Sequence, residues 1–242
     1  MPRFTVVAAT LLRPSYPALV AAIRRQTFRD FQFVARADPG NEYIARNRAA
    51  AQASGDWLVF VDDDSVPPPD HLAKLNRVLA EHPKLVAVSG SIRGNLQGRG
   101  VIVIDQPGWW VGANMAVRRD VFLERPFEER WGLERTPPGW RADSDLGFSI
   151  EQRYPGRWRH EGTLVVDHPG PMGSTWQPDV EAVFFGRWRQ QYLERFVPVD
   201  YRGQQFLFET QDLTPAERTH ILKCREALRR SMPDLPRLPQ EG

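Results

Sequence analysis

The chain has 242 residues, enough for one sizeable hydrophobic core or for one large domain with a small appendage. Its 32 basic and 30 acidic residues leave a formal charge of +2, which excludes a dominant polybasic nucleic-acid arm or a strongly acidic tail. The single cysteine, Cys224, excludes an intrachain disulfide and a cysteine zinc cluster.

Neither the N-terminus nor any apolar run has the pattern of a targeting or membrane segment. The sequence begins Met1-Pro2-Arg3, with no signal peptide ahead of the first expected strand. No apolar run approaches the roughly 20 residues that a membrane span needs. We therefore expect a cytoplasmic protein, with peripheral attachment to the inner face of a membrane left open.

Short apolar runs alternate with helical patterns in the first part of the chain. The expected strands are 4–10, 31–35, 57–61 and 85–89, and the expected helices are 14–26, 41–54 and a segment marked by Leu72, Leu75 and Leu79. This alternation predicts an α/β fold in which crossover helices connect the strands of a parallel sheet.

The pattern is less regular in the remainder of the chain. Loops are expected at 94–100 and 124–140, strands at 101–104 and 162–166, a strand and a helix start at 112–122, and helices at 143–153 and 180–195. A final helix is opened by Thr214-Pro215-Ala216-Glu217, which has the pattern of a capping box with proline at the first helical position.

An acidic cluster, Asp62-Asp63-Asp64, follows the apolar strand 57–61 directly. In open α/β sheets ligands bind beyond the carboxyl ends of the strands, and clustered carboxylates repel one another unless a cation lies among them. Hard oxygen ligands suit Mg²⁺ or Mn²⁺, which can also bridge a diphosphate. Without the strand, an acidic turn capping the next helix would be the better explanation.

Four further segments carry side chains that could act in the same site, namely 44–48, 112–119, 140–147 and 165–169. Arginines in 44–48 could bind a diphosphate, and small residues in 112–119 let the backbone approach a ligand. An aspartate at the helix start in 140–147 could act as a general base, and the histidine in 165–169 could complete a metal shell. The structural alternatives for these segments are, in the same order, a solvated helix face, a tightly packed strand, charges that complement the helix dipole, and a structural histidine.

The order of these segments resembles a family 2-type nucleotide-sugar glycosyltransferase of the GT-A fold. The resemblance covers roughly residues 3–170 and is carried by 4–14, 25–28, 45–48, 55–64, 112–116 and 143–146. It implies a mixed, mainly parallel Rossmann-like sheet flanked by helices over residues 1–172, with a donor half of about 1–105 and an acceptor half of about 106–172. Residues 173–242 are then a C-terminal helical extension packed on or beside the core.

The resemblance also implies roles for particular residues. Asp143 matches the catalytic base of inverting members. A divalent cation, Mn²⁺ or Mg²⁺, is expected at Asp64, Asp62 and His168. The donor nucleotide is expected to contact Thr10, Leu11, Arg13, Asp38, Arg46, Asn47, Asp62 and Asp63. The acceptor is expected to contact Trp109, Trp110, Asn114, Trp140 and Asp145.

Tryptophans are unevenly placed along the chain, and this bears on the acceptor. All but one of the eight lie between Trp109 and Trp188. An indole face can stack on the face of a sugar ring while its N–H donates a hydrogen bond, although core packing is the ordinary use of the residue. The expected helix 180–195 could contact a membrane surface or a lipid-linked acceptor. It could equally cover the sheet or contact a second copy of the chain.

The sequence departs from the family pattern in two places. The acidic stretch that usually follows the second strand is replaced by residues 35–40, in which Asp38 is the one candidate for a nucleotide-contacting carboxylate. The usual Glu-Asp pair of the catalytic segment reads Ala142-Asp143, so both Asp143 and Asp145 stay open as the base.

The resemblance implies a hexosyltransferase-like enzyme that is metal-dependent and inverting. It would move a sugar from a UDP-, GDP- or dTDP-linked donor to a hydroxyl of a sugar or lipid-linked acceptor, in the synthesis of cell-surface polysaccharide or glycoconjugates. Two alternatives stay open: a non-catalytic nucleotide-sugar-binding module, and a nucleotidyltransferase. The second would ordinarily have a glycine-rich phosphate loop, which residues 10–14 lack.

Overall fold

The computed structural model describes residues 1–38, 41–96, 101–131, 141–172 and 177–232, together with Leu235 and Leu238. The chain forms two compact units, Met1–Thr175 and Trp176–Gly242.

One mixed sheet is the frame of the first unit. Its strands are β1 (Phe4–Ala9), β2 (Phe31–Arg36), β3 (Trp57–Asp62), β4 (Ala87–Leu96), β5 (Val101–Ile104), β6 (Met115–Arg118) and β7 (Trp158–Met172). Within the described ranges the order of these seven strands is β2-β1-β3-β6-β4-β5, with β7 paired to β4. Only β5 and β6 run against the other strands, which confirms the predicted mixed, mainly parallel sheet.

Strands β1 and β3 lie side by side in the interior and determine where the site forms. They pair in parallel from Phe4 opposite Trp57 to Ala9 opposite Asp62. Apart from Ala9 and Asp62, all their residues are buried, which explains why both segments are continuous apolar runs rather than alternating ones. Because the two strands end at the same edge of the sheet, the residues that follow them meet there.

Five helices accompany this sheet: α1 (Tyr16–Arg24), α2 (Glu42–Ala51), α3 (His71–Glu81), α4 (Arg119–Glu124) and α5 (Ala142–Arg153), to count only the part of the first unit that the structure describes. Helix α2 begins at Asn41, whose side-chain oxygen accepts hydrogen bonds from the amides of Tyr43 at 2.8 Å and Ile44 at 3.2 Å. Helix α3 buries Leu72, Leu75, Val78 and Leu79 in the same core cluster as the apolar side chains of β1 and β3.

Two strands are longer than the sequence predicts. Strand β4 extends through residue 96, into the glycine-rich stretch expected to be a loop, and β7 extends well beyond the predicted 162–166. The two strands pair with each other along their length, with register shifts at Gly90/Ser91 and Gly94/Asn95. A bulged pairing accommodates glycines and prolines that otherwise indicate the end of a strand. Residues 97–100 and 132–140 of the predicted loops lie outside the described residues.

The second unit is helical in its described residues. It contains α6 (Pro178–Arg187), α7 (Arg189–Gln191), a π-helical turn at Tyr192–Phe196, α8 (Tyr201–Thr210) and α9 (Pro215–Ser231). The predicted capping box at the start of α9 is present, with the Glu217 amide bonded to Thr214 Oγ1 at 3.3 Å and the Thr214 amide bonded to Glu217 Oε2 at 2.7 Å. No helix among the residues placed by the structure is long and apolar enough to cross a membrane.

The sequence prediction for this unit was wrong in two details. The single helix expected over 180–195 is interrupted at Trp188, where the backbone leaves the helical region. Helix α8 was not predicted, although Asp200 caps it by accepting from the amides of Arg202 at 3.1 Å and Gly203 at 3.2 Å. The sequence signal for the start of this helix is Asp200, an aspartate that follows a proline-containing segment.

Replacing Gln26 by leucine should destabilise the first unit. This fully buried side chain joins the end of α1 to the start of α3, donating to the Pro68 carbonyl at 2.7 Å and accepting from the Leu72 amide at 3.0 Å. Leucine fills a similar volume but leaves the Leu72 amide without its partner, while the Pro68 carbonyl keeps only its bond from the His71 amide at 3.0 Å. The expected cost is about 1–3 kcal/mol in the free energy of unfolding. Chemical denaturation measures the change, with the exposed Gln52→Leu as the control. Equal losses in both variants would contradict the assignment.

Candidate functional site

Asp63 fixes the loop between β1 and α1 against the end of β3. Its carboxylate accepts from the Leu11 amide at 3.2 Å and lies 3.7 Å from the Arg13 guanidinium. Thr10 is buried, and its hydroxyl accepts from the Leu12 amide at 2.8 Å, which helps to hold Leu12 at the unusual φ of 56°. The carboxylate predicted to bind the donor is therefore engaged with this loop, while the Leu11 and Leu12 side chains are exposed beside it.

Asp62, Asp64 and His168 form a cluster at the same edge of the sheet. The Nε2 atom of His168 lies 3.0 Å from Asp64 Oδ1 and 3.4 Å from Asp62 Oδ2. One potential ligand atom from each residue lies within 4.8 Å of those of the other two. The structure thus brings His168, which is distant in the sequence, next to Asp62 and Asp64.

A short backbone bridge places His168 in this cluster. The Val66 amide donates to the Asp167 carbonyl at 2.6 Å, and the Asp167 amide donates back at 3.3 Å. The Asp167 carboxylate also receives two bonds from the Arg93 guanidinium, at 2.5 and 2.9 Å. The bridge attaches β7 to the segment after the acidic cluster, and the Arg93 bonds hold β7 to β4. His168 is thereby brought next to Asp62 and Asp64.

The donor set of this cluster fits a divalent cation. Its atoms are two carboxylate oxygens and one imidazole nitrogen, a mixed set that suits Mn²⁺ better than Mg²⁺. The Nδ1 atom of His168 is buried and has no hydrogen-bond partner among the described residues, so the ring interacts through Nε2. Burial lowers the pKa of His168, but the hydrogen bonds and charges of Asp62 and Asp64 outweigh burial and raise the pKa to about 10. A bound cation would take the place of that proton.

Arg46 is the buried counter-ion of Asp62. Its guanidinium binds Asp62 Oδ1 and lies 5.8 Å from the Tyr43 ring centroid and 5.7 Å from that of Phe127. Burial raises the pKa of Asp62, but the charge of Arg46 and the contact with His168 outweigh burial, so the pKa lies below its ordinary value. Asp62 therefore stays ionised despite its burial.

Asp143 lies half-buried at the start of α5. Its Oδ2 accepts from the Gly112 amide at 2.9 Å and its Oδ1 from the Ser144 amide at 2.8 Å. Burial raises its pKa and outweighs these two bonds and the charge of Arg46, which lower it. A carboxylate with a raised pKa is a better proton acceptor than an ordinary aspartate.

Glu42 is a carboxylate near the site that the sequence did not single out. It interacts electrostatically with Arg46, Asp62 and Asp143, and burial raises its pKa against the opposing charge of Arg46. An acidic residue in the first turn of a helix is so common that its position in the sequence carries no signal of function.

Two residues predicted to contact the donor, Asn47 and Asp38, have hydrogen-bond partners within the protein. Asn47 binds the chain at Phe127, donating to its carbonyl at 2.9 Å and accepting from its amide at 3.1 Å. Asp38 pairs with Arg48 at 2.6 Å. We therefore assign to Asn47 the role of holding the segment at Phe127 against α2.

Three of the residues predicted to contact the acceptor, Trp110, Asn114 and Asp145, are buried. The Trp110 Nε1 donates to Glu151 at 2.7 Å, and Asn114 Nδ2 donates to the carbonyls of Ser91 at 2.8 Å and Leu164 at 2.6 Å. Asp145 lies 3.4 Å from Arg125. Their polar atoms thus bind other parts of the protein. Trp109 is half-buried, and Trp140 lies outside the described residues.

Known proteins share both the sequence pattern and the fold. The family described as Glycosyl transferase family 2 matches residues 17–127. The match spans just under half of the chain, and over these residues the chain is similar to glycosyl transferase family 2. No curated protein matches the sequence.

Solved structures of glycosyltransferases share the GT-A fold of this chain. TarS 1-349 from S. aureus, in complex with UDP-GlcNAc, is 14% identical with a TM-score of 0.61, over 97% of this chain and 82% of that one. The mannosyltransferase PcManGT from Pyrobaculum calidifontis, in complex with GDP-Man and Mn²⁺, is 16% identical with a TM-score of 0.54, over 98% of this chain and 77% of that one. At these identities the likeness establishes the fold.

Substitution within the acidic cluster should weaken Mn²⁺ binding. We expect Asp64→Asn and His168→Gln each to raise the dissociation constant for Mn²⁺ by more than about tenfold, because each removes a ligand atom. The electron paramagnetic resonance signal of free Mn²⁺ measures this constant. The control is Asp56→Asn, an exposed aspartate just before β3, which should leave the constant unchanged. Unchanged binding in both cluster variants would contradict the site.

Proposed function

We propose that this glycosyltransferase moves a sugar from a nucleoside-diphosphate sugar to an acceptor hydroxyl, with inversion and with a divalent cation. The proposal is carried by the convergence of Asp62, Asp64 and His168 at the carboxyl edge of β3. In this class of sheet, that edge is the expected position for the diphosphate of a nucleotide.

The diphosphate end of the donor would lie against the acidic cluster. Asp64, Asp62 and His168 would hold the cation, which supplies positive charge to the departing diphosphate when bound. Arg13, whose guanidinium is 3.9 Å from Asp64 and more than half exposed, is placed to bind a phosphate oxygen. The exposed Leu11 side chain offers an apolar surface for the nucleobase.

Asp143 would act as the general base. Each of its oxygens accepts one backbone hydrogen bond and keeps a second lone pair. It would take the proton of the acceptor hydroxyl while that oxygen bonds to the anomeric carbon. The bond between this carbon and the diphosphate oxygen breaks with its electron pair on the diphosphate. One such displacement inverts the anomeric centre.

The nucleotides and nucleotide sugars bound in the similar structures support a choice of donors to test. TarS is described in complex with UDP-GlcNAc and with UDP, and PcManGT with GDP-Man. We therefore propose a UDP- or GDP-linked hexose as the donor, with UDP-GlcNAc and GDP-Man as the first compounds to test.

Asp143→Asn should abolish turnover while the protein stays folded. Asparagine cannot take the acceptor proton, so we expect kcat to fall by about 10²- to 10⁴-fold. Its neutral side chain avoids the burial of a charge but loses one backbone hydrogen bond, so the thermal midpoint should stay within a few degrees of wild type. Release of nucleoside diphosphate measures the rate, with the exposed Asp120→Asn as the control. Full activity of Asp143→Asn would contradict its role as the base.

Nucleotide binding should depend on the cation. We expect UDP or GDP to raise the thermal midpoint in the presence of Mn²⁺, and much less in its absence, because the diphosphate would otherwise face the uncompensated acidic cluster. A scan of nucleotides and nucleotide sugars, each with and without Mn²⁺, measures this. Stabilisation by a nucleotide sugar that is never hydrolysed or transferred would instead favour a binding module without catalysis.

A further inference from the structure

The Arg46 guanidinium touches two parts of the chain that serve different roles in the proposed reaction. On one side its Nη2 binds Asp62 Oδ1, at the edge that would hold the donor diphosphate. On the other side it lies against the backbone of Gly112. A methyl group added at Gly112 would lie 2.3 Å from Nη1 and 3.0 Å from Cζ of Arg46.

Gly112 in turn holds the carboxylate that we propose as the base. Its amide donates to Asp143 Oδ2 at 2.9 Å. A continuous path of contacts therefore runs from Asp62 through the Arg46 guanidinium and the Gly112 backbone to Asp143.

The need for glycine at position 112 comes from Arg46 and not from the backbone. Gly108 and Gly156 have positive φ angles, but Gly112 does not, so its backbone conformation is open to other residues. The three atoms nearest to an added methyl group all belong to the Arg46 guanidinium. The tight contact is therefore a contact with this one side chain.

The guanidinium is held in a fixed orientation by its surroundings. It is buried, with the Tyr43 and Phe127 rings within 5.8 Å. A planar guanidinium can present one face to a ring or a backbone while its edge binds a carboxylate, whereas a lysine ammonium is a compact point charge. Arg46, which the resemblance places in the donor site, is thus bound to Asp62 and buried in this structure.

We propose that Arg46 is a positioning residue that holds Asp62 directly and Asp143 through the Gly112 backbone. The carboxyl edge of β3, where the donor would bind, and the base Asp143 are thereby kept in a fixed position relative to each other. Position 112 is glycine because any side chain there displaces the guanidinium. This inference rests on the proposed function for the roles of Asp62 and Asp143, but not for the contact itself.

A double-mutant cycle between Gly112→Ala and Arg46→Ala tests the proposal. Each single variant should weaken binding of UDP or GDP with Mn²⁺, whichever nucleotide binds the wild type, and lower kcat for hydrolysis of the matching nucleotide sugar. We expect the dissociation constant to rise and kcat to fall, each by about 10- to 100-fold, since small displacements of catalytic groups have effects of this size. The double variant should be no worse than Arg46→Ala, because the space left by the guanidinium accepts the new methyl group.

The dissociation constant and kcat, corrected for the folded fraction, are readouts that a purely structural role would leave unchanged. Arg46→Lys should lower kcat as much as Arg46→Ala does, because lysine keeps the positive charge but cannot make the planar contact of the guanidinium. Gly186→Ala, where an added methyl group meets nothing within 4 Å, and the exposed Arg77→Ala are the matched controls. Additive effects of the two substitutions, or single variants that match the wild type in both quantities, would overturn the proposal.

A cycle in the free energy of unfolding separates this inference from the proposed function. Non-additive unfolding free energies should appear whether or not the protein is a transferase, because they report the contact alone. If wild type binds no nucleotide and hydrolyses no donor, the proposed function fails. If wild type is active and the cycle is additive in both stability and rate, the function stands and the positioning role fails.

Discussion

Three consecutive carboxylates at the end of one buried strand are the constraint on which the site depends. Asp62, Asp63 and Asp64 lie at the carboxyl edge of β3, and the cationic group nearest to each carboxylate is a different one. Asp62 binds Arg46, Asp63 faces Arg13, and Asp64 lies 3.0 Å from His168. Clustered negative charges of this kind are stable only when cations approach from several sides. The surrounding segments are therefore arranged to bring those cations to one edge of the sheet.

This compensation links elements that are far apart in the sequence. Arg46 comes from α2, Arg13 from the loop after β1, and His168 from the end of β7. Through Gly112 the same contacts reach Asp143 on α5. The geometry of the site thus depends on elements throughout the first unit, and the uncharged Gly112 contributes to it through its contacts with Arg46 and Asp143. The half of the site facing the acceptor is less defined, because Trp110, Asn114 and Asp145 are interior residues.

Local patterns in the sequence predicted much of the frame. The continuous apolar runs of β1 and β3, the acidic cluster after β3 and the capping box of α9 are short-range signals with a direct physical cause, and the fold class follows from them. The partners of buried polar groups could not be predicted, because they depend on distant backbone. Asn114 resembles a ligand-binding residue until the Ser91 and Leu164 carbonyls are seen to accept its two hydrogen bonds. Glu42 and the contact between Gly112 and Arg46 carry no local signal either.

The central claim is that the acidic cluster and His168 hold the cation that accompanies the donor diphosphate. Crystals grown with Mn²⁺ and UDP or GDP, measured near the manganese absorption edge, test it directly. The account predicts one anomalous peak within coordination distance of Asp64, with Asp62 or His168 as a further ligand and with diphosphate oxygens beside it. A bound nucleotide whose manganese peak lies away from all three side chains, or that has no manganese peak, would contradict the account.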